Sequence, residues 1–482
     1  MGRSNENQSR LEWTDVVESV RALSGRIWWL NRFRLQYYLD VNYQISLDGG
    51  IRYFLRCTAG LVYHTWGILL AVIRLQKGPS LSPAGLVFLL TDNIVYLMHL
   101  LPILREAGTL AKDPMVLVRS SHRRTVEKML SEDSCFAGVK VFTYNELARG
   151  IPLRQRLVLL LTSVGGFLKD LAVWLRSGMS TKWLILARFM TFSLVNRFYS
   201  SIVSWNLQNA AAVVSANDHS MWESMIFAEA DPHTETFLVQ HGVLPRFIWP
   251  ASARKVLVWG EYHRTFMIDE MNAPPEAVIV MGAPGYDQLL FKLRNRPQKE
   301  KNTICFLSQF HGTPLMGPEG YDRAVEMFCQ LADNSSESGL RFVIKLHPSD
   351  DDKSIKSYEE RYIGSVVITR EDLIHVLDRT ILAILVDSTA LFEAVLMDIP
   401  VVQLEPKGLL RFADFSTEGL TILCHNQEEL TDAFLKIVQG GEASSQIHEA
   451  MRKARSLYLA NIGNAVRASV RIILGGKAGK GL

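Results

Sequence analysis

Short apolar runs that stop on polar residues recur along both halves of this chain, and most are separated by enough residues for a helix. "AGLVFLLTDN" (84–93), "PMVLVRS" (114–120), "GVKVFTY" (138–144), "NAAAVVSAND" (209–218), "ETFLVQHGV" (235–243), "RKVLVWGEYH" (254–263) and "AVIVMGAPGYD" (277–287) predict strands of a first sheet. A polar linker, "KLRNRPQKEKN" (292–302), follows. "TICFLSQFHGTP" (303–314), "RFVIKLHP" (341–348), "VVIT" (366–369), "LAILVDST" (382–389) and "IPVVQLE" (399–405) predict a second sheet. Most of these runs are continuously apolar, as suits strands buried on both faces of a parallel sheet. Strands alternating with helical periodicity predict an α/β chain of two Rossmann-like domains, each a parallel sheet covered by helices. Such domains bind ligands at the carboxyl ends of their strands.

A length of 482 residues fits two domains with appended segments. The expected division is a helical N-terminal segment over 1–80, a first domain over 81–291, a second over 303–440, and a C-terminal helix (about 444–473) and tail over 441–482. A long helical insertion, 151–205, interrupts the first domain.

Charge is uneven although the net value is only +3, and no nucleic-acid partner is expected. Residues 51–91 hold Arg52, Arg56, Arg74 and Lys77 and no acid. Residues 151–200 hold seven basic side chains against one acid, Asp170. "RALSGRIWWLNRFRLQYY" (21–38) mixes arginines with interfacial aromatics. Cationic charge beside tryptophan and tyrosine suits an anionic membrane surface. Residues 54–75 are about long enough to span a bilayer, but Arg56, His64 and Arg74 favour a helix on a protein core or in the membrane interface. The expected place is the cytoplasm, at the inner face of the cytoplasmic membrane. The start of the chain lacks a signal-peptide pattern. Five scattered cysteines without a CxxC pair argue for a reducing compartment and against a zinc or disulfide framework.

The strand tips carry the chemistry. In the second half, Ser308, Gln309 and His311 follow one strand, Lys345, His347 and Pro348 end the next, and Ser388 and Thr389 stand where a strand turns into a helix. Hydroxyls and free N–H groups at a helix start, with cations nearby, predict a phosphate site. Glu393, one turn into that helix, is placed to take a ribose hydroxyl. Neither GxGxxG nor GxxxxGK[ST] occurs, so a standard dinucleotide or P-loop site is not expected. The acids of "SDDDK" (349–353) read as a solvated turn, and no metal is assigned. In the first half, His241 of "VQHGVL" ends a buried strand, and Asp218 and Asp92 end two others. Any of the three is a candidate general base.

"QHG", "VLVWGEYHR", "VMGAPGYDQLL", "KLHP" and "DSTALFEAVLMDIPVV" together resemble bacterial GT-B glycosyltransferases of surface-polysaccharide assembly, over about 84–440. The resemblance is to the capsule-polysaccharide, sialyltransferase and Kdo-transferase group, with the CDP-glycerol transferases nearby. In the sialyl and Kdo enzymes a His-Pro motif and a Ser/Thr pair bind the phosphate and ribose of CMP. His347-Pro348 and Ser388-Thr389 match those positions. The acidic pair followed by glycine that supplies the family's base has no match in the first domain. The resemblance implies a GT-B glycosyltransferase that needs no cofactor. It would move a sugar from a CMP-linked donor, or a UDP-linked one, to a glycan or lipid-linked acceptor. A CDP-glycerol-type polyol-phosphate transferase, a sugar-nucleotide 2-epimerase and a non-enzymatic scaffold of the same architecture stay open.

Overall fold

The computed structural model describes residues 85–475 apart from short stretches, chiefly 91–93, 111–113, 177–193, most of 218–229, 245–250, 295–299, 310–317, most of 351–365 and 410–414. The N-terminal segment, with its candidate interfacial helix over 54–75, lies outside the described residues. Among those described, no helix is long and apolar enough to cross a membrane.

Two all-parallel sheets organise the chain. The first holds β1 (Leu86–Leu90), β2 (Met115–Val118), β3 (Lys140–Thr143), β4 (Ala212–Ser215), β5 (Glu235–Val239), β6 (Lys255–Val258) and β7 (Val278–Val280) in the order β3-β2-β1-β4-β5-β6-β7. The second holds β8 (Thr303–Leu307), β9 (Arg341–Lys345), β10 (Val366–Thr369), β11 (Thr380–Leu385), β12 (Val401–Leu404) and β13 (Ile422–Cys424) in the order β10-β9-β8-β11-β12-β13. Strand order reverses between β1 and β4 and between β8 and β11, and each reversal opens a crevice at the carboxyl ends. Central strands such as β1, β2, β4 and β8 are buried along their whole length, which is why they read as unbroken apolar runs.

Helices fill both faces. After β1 comes α1 (Val95–Leu110), which runs past Gly108, where the sequence pattern stops it. The helices α2 (Arg123–Ser131) and α3 (Tyr144–Gly150) follow β2 and β3. Thr143 caps α3 in a reciprocal capping box with Glu146. The insertion begins with α4 (Leu153–Arg176). Beyond β6 and β7 lie α5 (Glu261–Asp269) and α6 (Pro284–Arg294). The second domain carries α7 (Pro318–Asn334), α8 (Leu373–Leu377), α9 (Leu391–Leu396) and α10 (Gln427–Val438).

The single C-terminal helix expected over 444–473 is two: α11 (Gly441–Tyr458) and α12 (Ala465–Ile473). Asn461 (φ 50°) and Gly463 (φ 80°) take left-handed backbone between them and redirect the chain. That turn is how the second domain reaches back to the first. Ala460 N–H donates to the Trp259 carbonyl (2.8 Å), and the Asn461 amide donates to the Met281 carbonyl (3.1 Å). The Asp287 carboxylate accepts from Val466 N–H at 2.9 Å, capping α12. A Cβ on Gly260 would lie 2.2 Å from the Leu457 carbonyl oxygen, and one on Gly282 (φ 94°) would lie 2.5 Å from that of Ala460. Only glycine fits at either position.

The domains therefore share a core. Trp259, Met281 and Ala283 belong to one apolar cluster with Phe392, Phe415 and Tyr458. Trp259 meets Phe392 edge-on at 5.3 Å, and Tyr262 stacks on Tyr458 at 4.0 Å. Separate clusters fill the outer face of each sheet.

Candidate functional site

In the first domain the tip of β5 is fixed by Gln240. Its amide N–H donates to the Gly242 carbonyl (2.9 Å), and its amide oxygen accepts from Trp259 N–H (2.8 Å). The Trp259 indole in turn donates to the Gln240 carbonyl at 2.9 Å. The turn after β5 is thus rigid, and it holds His241 against α1. The imidazole packs 4.7 Å from the Tyr96 ring and 5.8 Å from the His99 ring, and it bonds the Ala216 backbone at the end of β4. Burial, and then the neighbouring His99, push its pKa down to about 4. His241 is therefore a neutral imidazole at neutral pH, and burial opposes its protonation. Asp92 and Asp218 lie outside the described residues; β1 and β4, which lead to them, are the central pair of the sheet.

In the second domain the predicted residues gather on three strands at the β8/β11 reversal. β9 and β11 do not adjoin; β8 runs between them, and its tip joins theirs. Ser308 N–H donates to the Lys345 carbonyl (2.9 Å). The Ser308 hydroxyl is buried; it donates to Asp350 Oδ2 and accepts from the Tyr321 hydroxyl, each at 3.3 Å. Gln309 N–H donates to the Tyr321 hydroxyl (2.9 Å), and the Gln309 side-chain oxygen accepts from Asp387 N–H (3.2 Å). Asp387 is locked from the other side by Gln403, whose amide donates to Asp387 Oδ1 at 3.0 Å.

Asp350 corrects the sequence reading. It is not a solvated turn residue but 5% exposed, and its carboxylate accepts from His347 N–H at 2.9 Å. Asp350 N–H donates back to the His347 carbonyl at 3.0 Å, closing the turn that presents His347. Its second oxygen, Oδ1, is buried with no hydrogen-bond partner among the described residues.

The assigned residues differ in what they are free to do. His347 is half-buried, and burial lowers its pKa while Asp350 opposes that shift. Pro348 is exposed beside it. Lys345 is almost wholly buried, and its ammonium, with three donors, makes one hydrogen bond among the described residues, to the Leu346 carbonyl at 2.7 Å. Burial lowers its pKa. Ser388 is half-buried and Thr389 exposed. The helix after them, α9, has only six residues, and the Ser388 hydroxyl accepts from Ala390 N–H at 3.3 Å rather than capping further along. So short a helix supplies little dipole, and an anion here would depend on the hydroxyls. Glu393 meets the first domain: its carboxylate accepts from the Tyr286 hydroxyl at 3.3 Å. Burial raises its pKa to about 7. Tyr286, buried, is pushed well up by burial and then by Glu393.

The two sets of tips meet. A Cβ built on Gly242 would lie 3.5 Å from Thr389 Cγ2. The turn that carries His241 thus lies beside the turn that carries Ser388 and Thr389, within reach of one added methyl group. Sequence reading missed Tyr286, Tyr321, Asp350 and Gln403. Asp350 alone had a nearby sign, a carboxylate three residues after His347, where it can bond back to the turn.

No family model matches this sequence, and no curated protein matches it. Among solved structures the chain is similar to the UDP-GlcNAc 2-epimerase of Neisseria meningitidis bound to UDP-GlcNAc, with 15% identity and a TM-score of 0.51; 81% of this chain and 99% of that one are covered. It is similar to a second UDP-N-acetylglucosamine 2-epimerase, with 12% identity, a TM-score of 0.50, and 83% and 98% covered. A glycosyltransferase from Rickettsia africae ESF-5 matches with 11% identity, a TM-score of 0.48, and 80% and 97% covered. At such identities the likeness is one of architecture. The two parallel sheets, the crossing α12 and the likeness to these epimerases make this chain a GT-B fold.

Proposed function

We propose that the chain is a glycosyltransferase that moves a sugar from a nucleotide-activated donor to a hydroxyl of a surface-polysaccharide or lipid-linked glycan. The observation that carries this reading is the approach of Gly242 to Thr389, which sets the turn of His241 beside the polar strand tips of the other domain. The donor's nucleotide lies over the tips of β9, β8 and β11. Ser388, Thr389, His347 and the ammonium of Lys345 face its phosphate, and Ser308 completes the pocket wall. His241 takes the proton of the acceptor hydroxyl as its oxygen bonds the anomeric carbon, and the bond from that carbon to the nucleotide phosphate breaks. The phosphate departs with the bonding pair, stabilised by hydroxyls and cations fixed beforehand. Asp92 and Asp218, at the carboxyl ends of the central strands, are the other candidates for the base. Glu393 takes a ribose hydroxyl in place of the one it now shares with Tyr286. No metal or cofactor is assigned a role.

The His-Pro and Ser-Thr motifs favour a CMP-linked sugar, and a polysaccharide acceptor on a lipid places the work at the inner face of the cytoplasmic membrane. A second reading, a sugar-nucleotide 2-epimerase, is favoured by the fold's likeness to an epimerase bound to UDP-GlcNAc. Thermal stabilisation by CMP, CDP, UDP, UMP, GDP and ADP separates these readings. A shift with CMP that His347→Ala abolishes supports a CMP-linked donor. A shift with UDP, together with conversion of UDP-GlcNAc to its C2 epimer without an acceptor, replaces the transferase with the epimerase. No shift with any nucleotide in a folded protein overturns both.

A further inference from the structure

The helix α4 is apolar on its outward face as well as on its inward one. Its outward face carries Leu153, Leu157, Val158, Leu161 and Leu168, with exposures of 40%, 44%, 55%, 70% and 55%. A Cβ added at Gly165 on the same face meets open space. The inward face carries Phe167, 8% exposed, and Leu159 and Leu160, packed against the first-domain core, beside Arg156, 4% exposed, and Ser163, whose hydroxyl donates to the Leu159 carbonyl (2.6 Å). Arg197 lies against Gly166 on that side, 2.8 Å from where a Cβ would stand. A helix on a water-facing surface is apolar inward and polar outward, and the outward face of α4 departs from that pattern. Leucines at intervals of four, on the solvent side of 24 residues, form an apolar ridge with no partner among the described residues.

Charge identifies what covers it. From Leu147 to Lys169 there is no acidic residue, and the exposed Arg154 and Lys169 stand near the two ends of the ridge. An antiparallel second copy placed face to face would set Arg154 against Lys169 of the other copy, like charge against like. Residues 51–84 also carry basic side chains and no acid, so they offer the ridge no counter-charge. An anionic bilayer offers both apolar depth and negative charge. We propose that the outward face of α4 is a docking surface for an anionic lipid bilayer, on which the helix lies flat. None of the described helices is long and apolar enough to cross a membrane, which fits a helix resting on the surface rather than passing through it. The proposal is independent of the nucleotide site. It adds to the proposed function the surface by which the enzyme would reach a lipid-linked acceptor.

The test uses the full chain and co-sedimentation with vesicles of phosphatidylcholine alone or mixed with phosphatidylglycerol. The wild-type chain is expected on the mixed vesicles and not on the neutral ones, with binding that weakens as salt rises. The pair Leu157→Glu and Leu161→Glu should reduce binding about tenfold or more, since charge replaces the apolar ridge. Arg154→Ala with Lys169→Ala should reduce it less and flatten the salt dependence. Both pairs are exposed, and unchanged melting temperatures and nucleotide-induced shifts would show that the fold and the nucleotide site are intact. Three results overturn the proposal. The leucine variant binds vesicles as tightly as wild type, so another segment holds the membrane. The folded wild-type chain binds no vesicles. Or the chain is a dimer that the leucine variant dissociates, so a second copy covers the ridge.

Discussion

The seam between the domains and the polar tips beside it lie close together but are built on opposite principles. The seam is closed: Trp259, Phe392 and Tyr458 interlock, and Gly260 and Gly282 let backbone press on backbone. The tips are polar, with hydroxyls and imidazoles held in place by hydrogen bonds of Gln240, Asp350 and Gln309. The motifs behind the family resemblance divide along the same line. "VLVWGEYHR" and "VMGAPGYDQLL" build the seam. "QHG", "KLHP" and "DST" build the tips. Half of what resembles a transferase is therefore there to hold two domains in one orientation, and only the other half is placed to meet a ligand.

Substitutions should separate the two regions. Phe392→Ala, fully buried where both domains meet, is expected to cost ~3–5 kcal/mol in denaturant unfolding. Gly260→Ala should cost ~3 kcal/mol, since the obstacle is backbone and cannot swing away. A loss under about 1 kcal/mol at either site would mean that the seam yields. At the tips, Asp350→Ala takes from His347 N–H its carboxylate acceptor and should cost ~1–3 kcal/mol, while weakening nucleotide binding as much as His347→Ala does. Asp350→Asn, which keeps an acceptor, should recover part of both.

A smaller effect joins the two regions through pH. Glu393 has its folded pKa raised from 4.5 to about 7, so its contribution to stability is complete below pH 4.5 and is lost as pH rises through about 7. His241 is depressed from 6.5 to about 4, so its contribution is complete above pH 6.5 and is lost as pH falls through about 4. His263, buried in the seam and depressed to about 3, acts in the same direction as His241. Between about pH 4.5 and 6.5 the glutamate opposes the histidines. Glu393→Gln should make stability rise more steeply with pH there, by ~1.4 kcal/mol per pH unit, and His241→Asn should flatten the rise by a similar amount. The same slope in Glu393→Gln as in wild type would mean that the carboxyl is not buried against Tyr286. Smallest of all, Arg264→Ala on the exposed face of α5 removes a 3.7 Å pair with Glu261 and should change stability by less than ~0.5 kcal/mol.

The sheets could be read from the sequence because strands buried on both faces leave unbroken apolar runs. β13, Ile422–Cys424, escaped although β7, equally short, did not. The break between α11 and α12 was hidden because apolar spacing continues across it; Asn461 and Gly463 were the available signs. At the site, short motifs located the tips but not their partners. Glu393 reads as a ribose ligand one turn into a helix, yet it meets Tyr286, 107 residues away. Asp350 looked solvated among acids because burial depends on Ser308 and Tyr321 folding over it. Contacts between distant segments leave no local pattern, so the polar supports of a site are harder to read than its tips.

The central claim is that tips from both domains form one nucleotide-sugar site. Calorimetric titration of the nucleotide that stabilises the protein most, into wild type and into His347→Ala, Thr389→Val and Gly242→Val, tests it most directly. The account predicts that the two second-domain variants lose affinity, and that Gly242→Val, a change made in the other domain, loses it too because its side chain meets Thr389. Undiminished affinity in Thr389→Val and Gly242→Val, with the proteins folded, would contradict it.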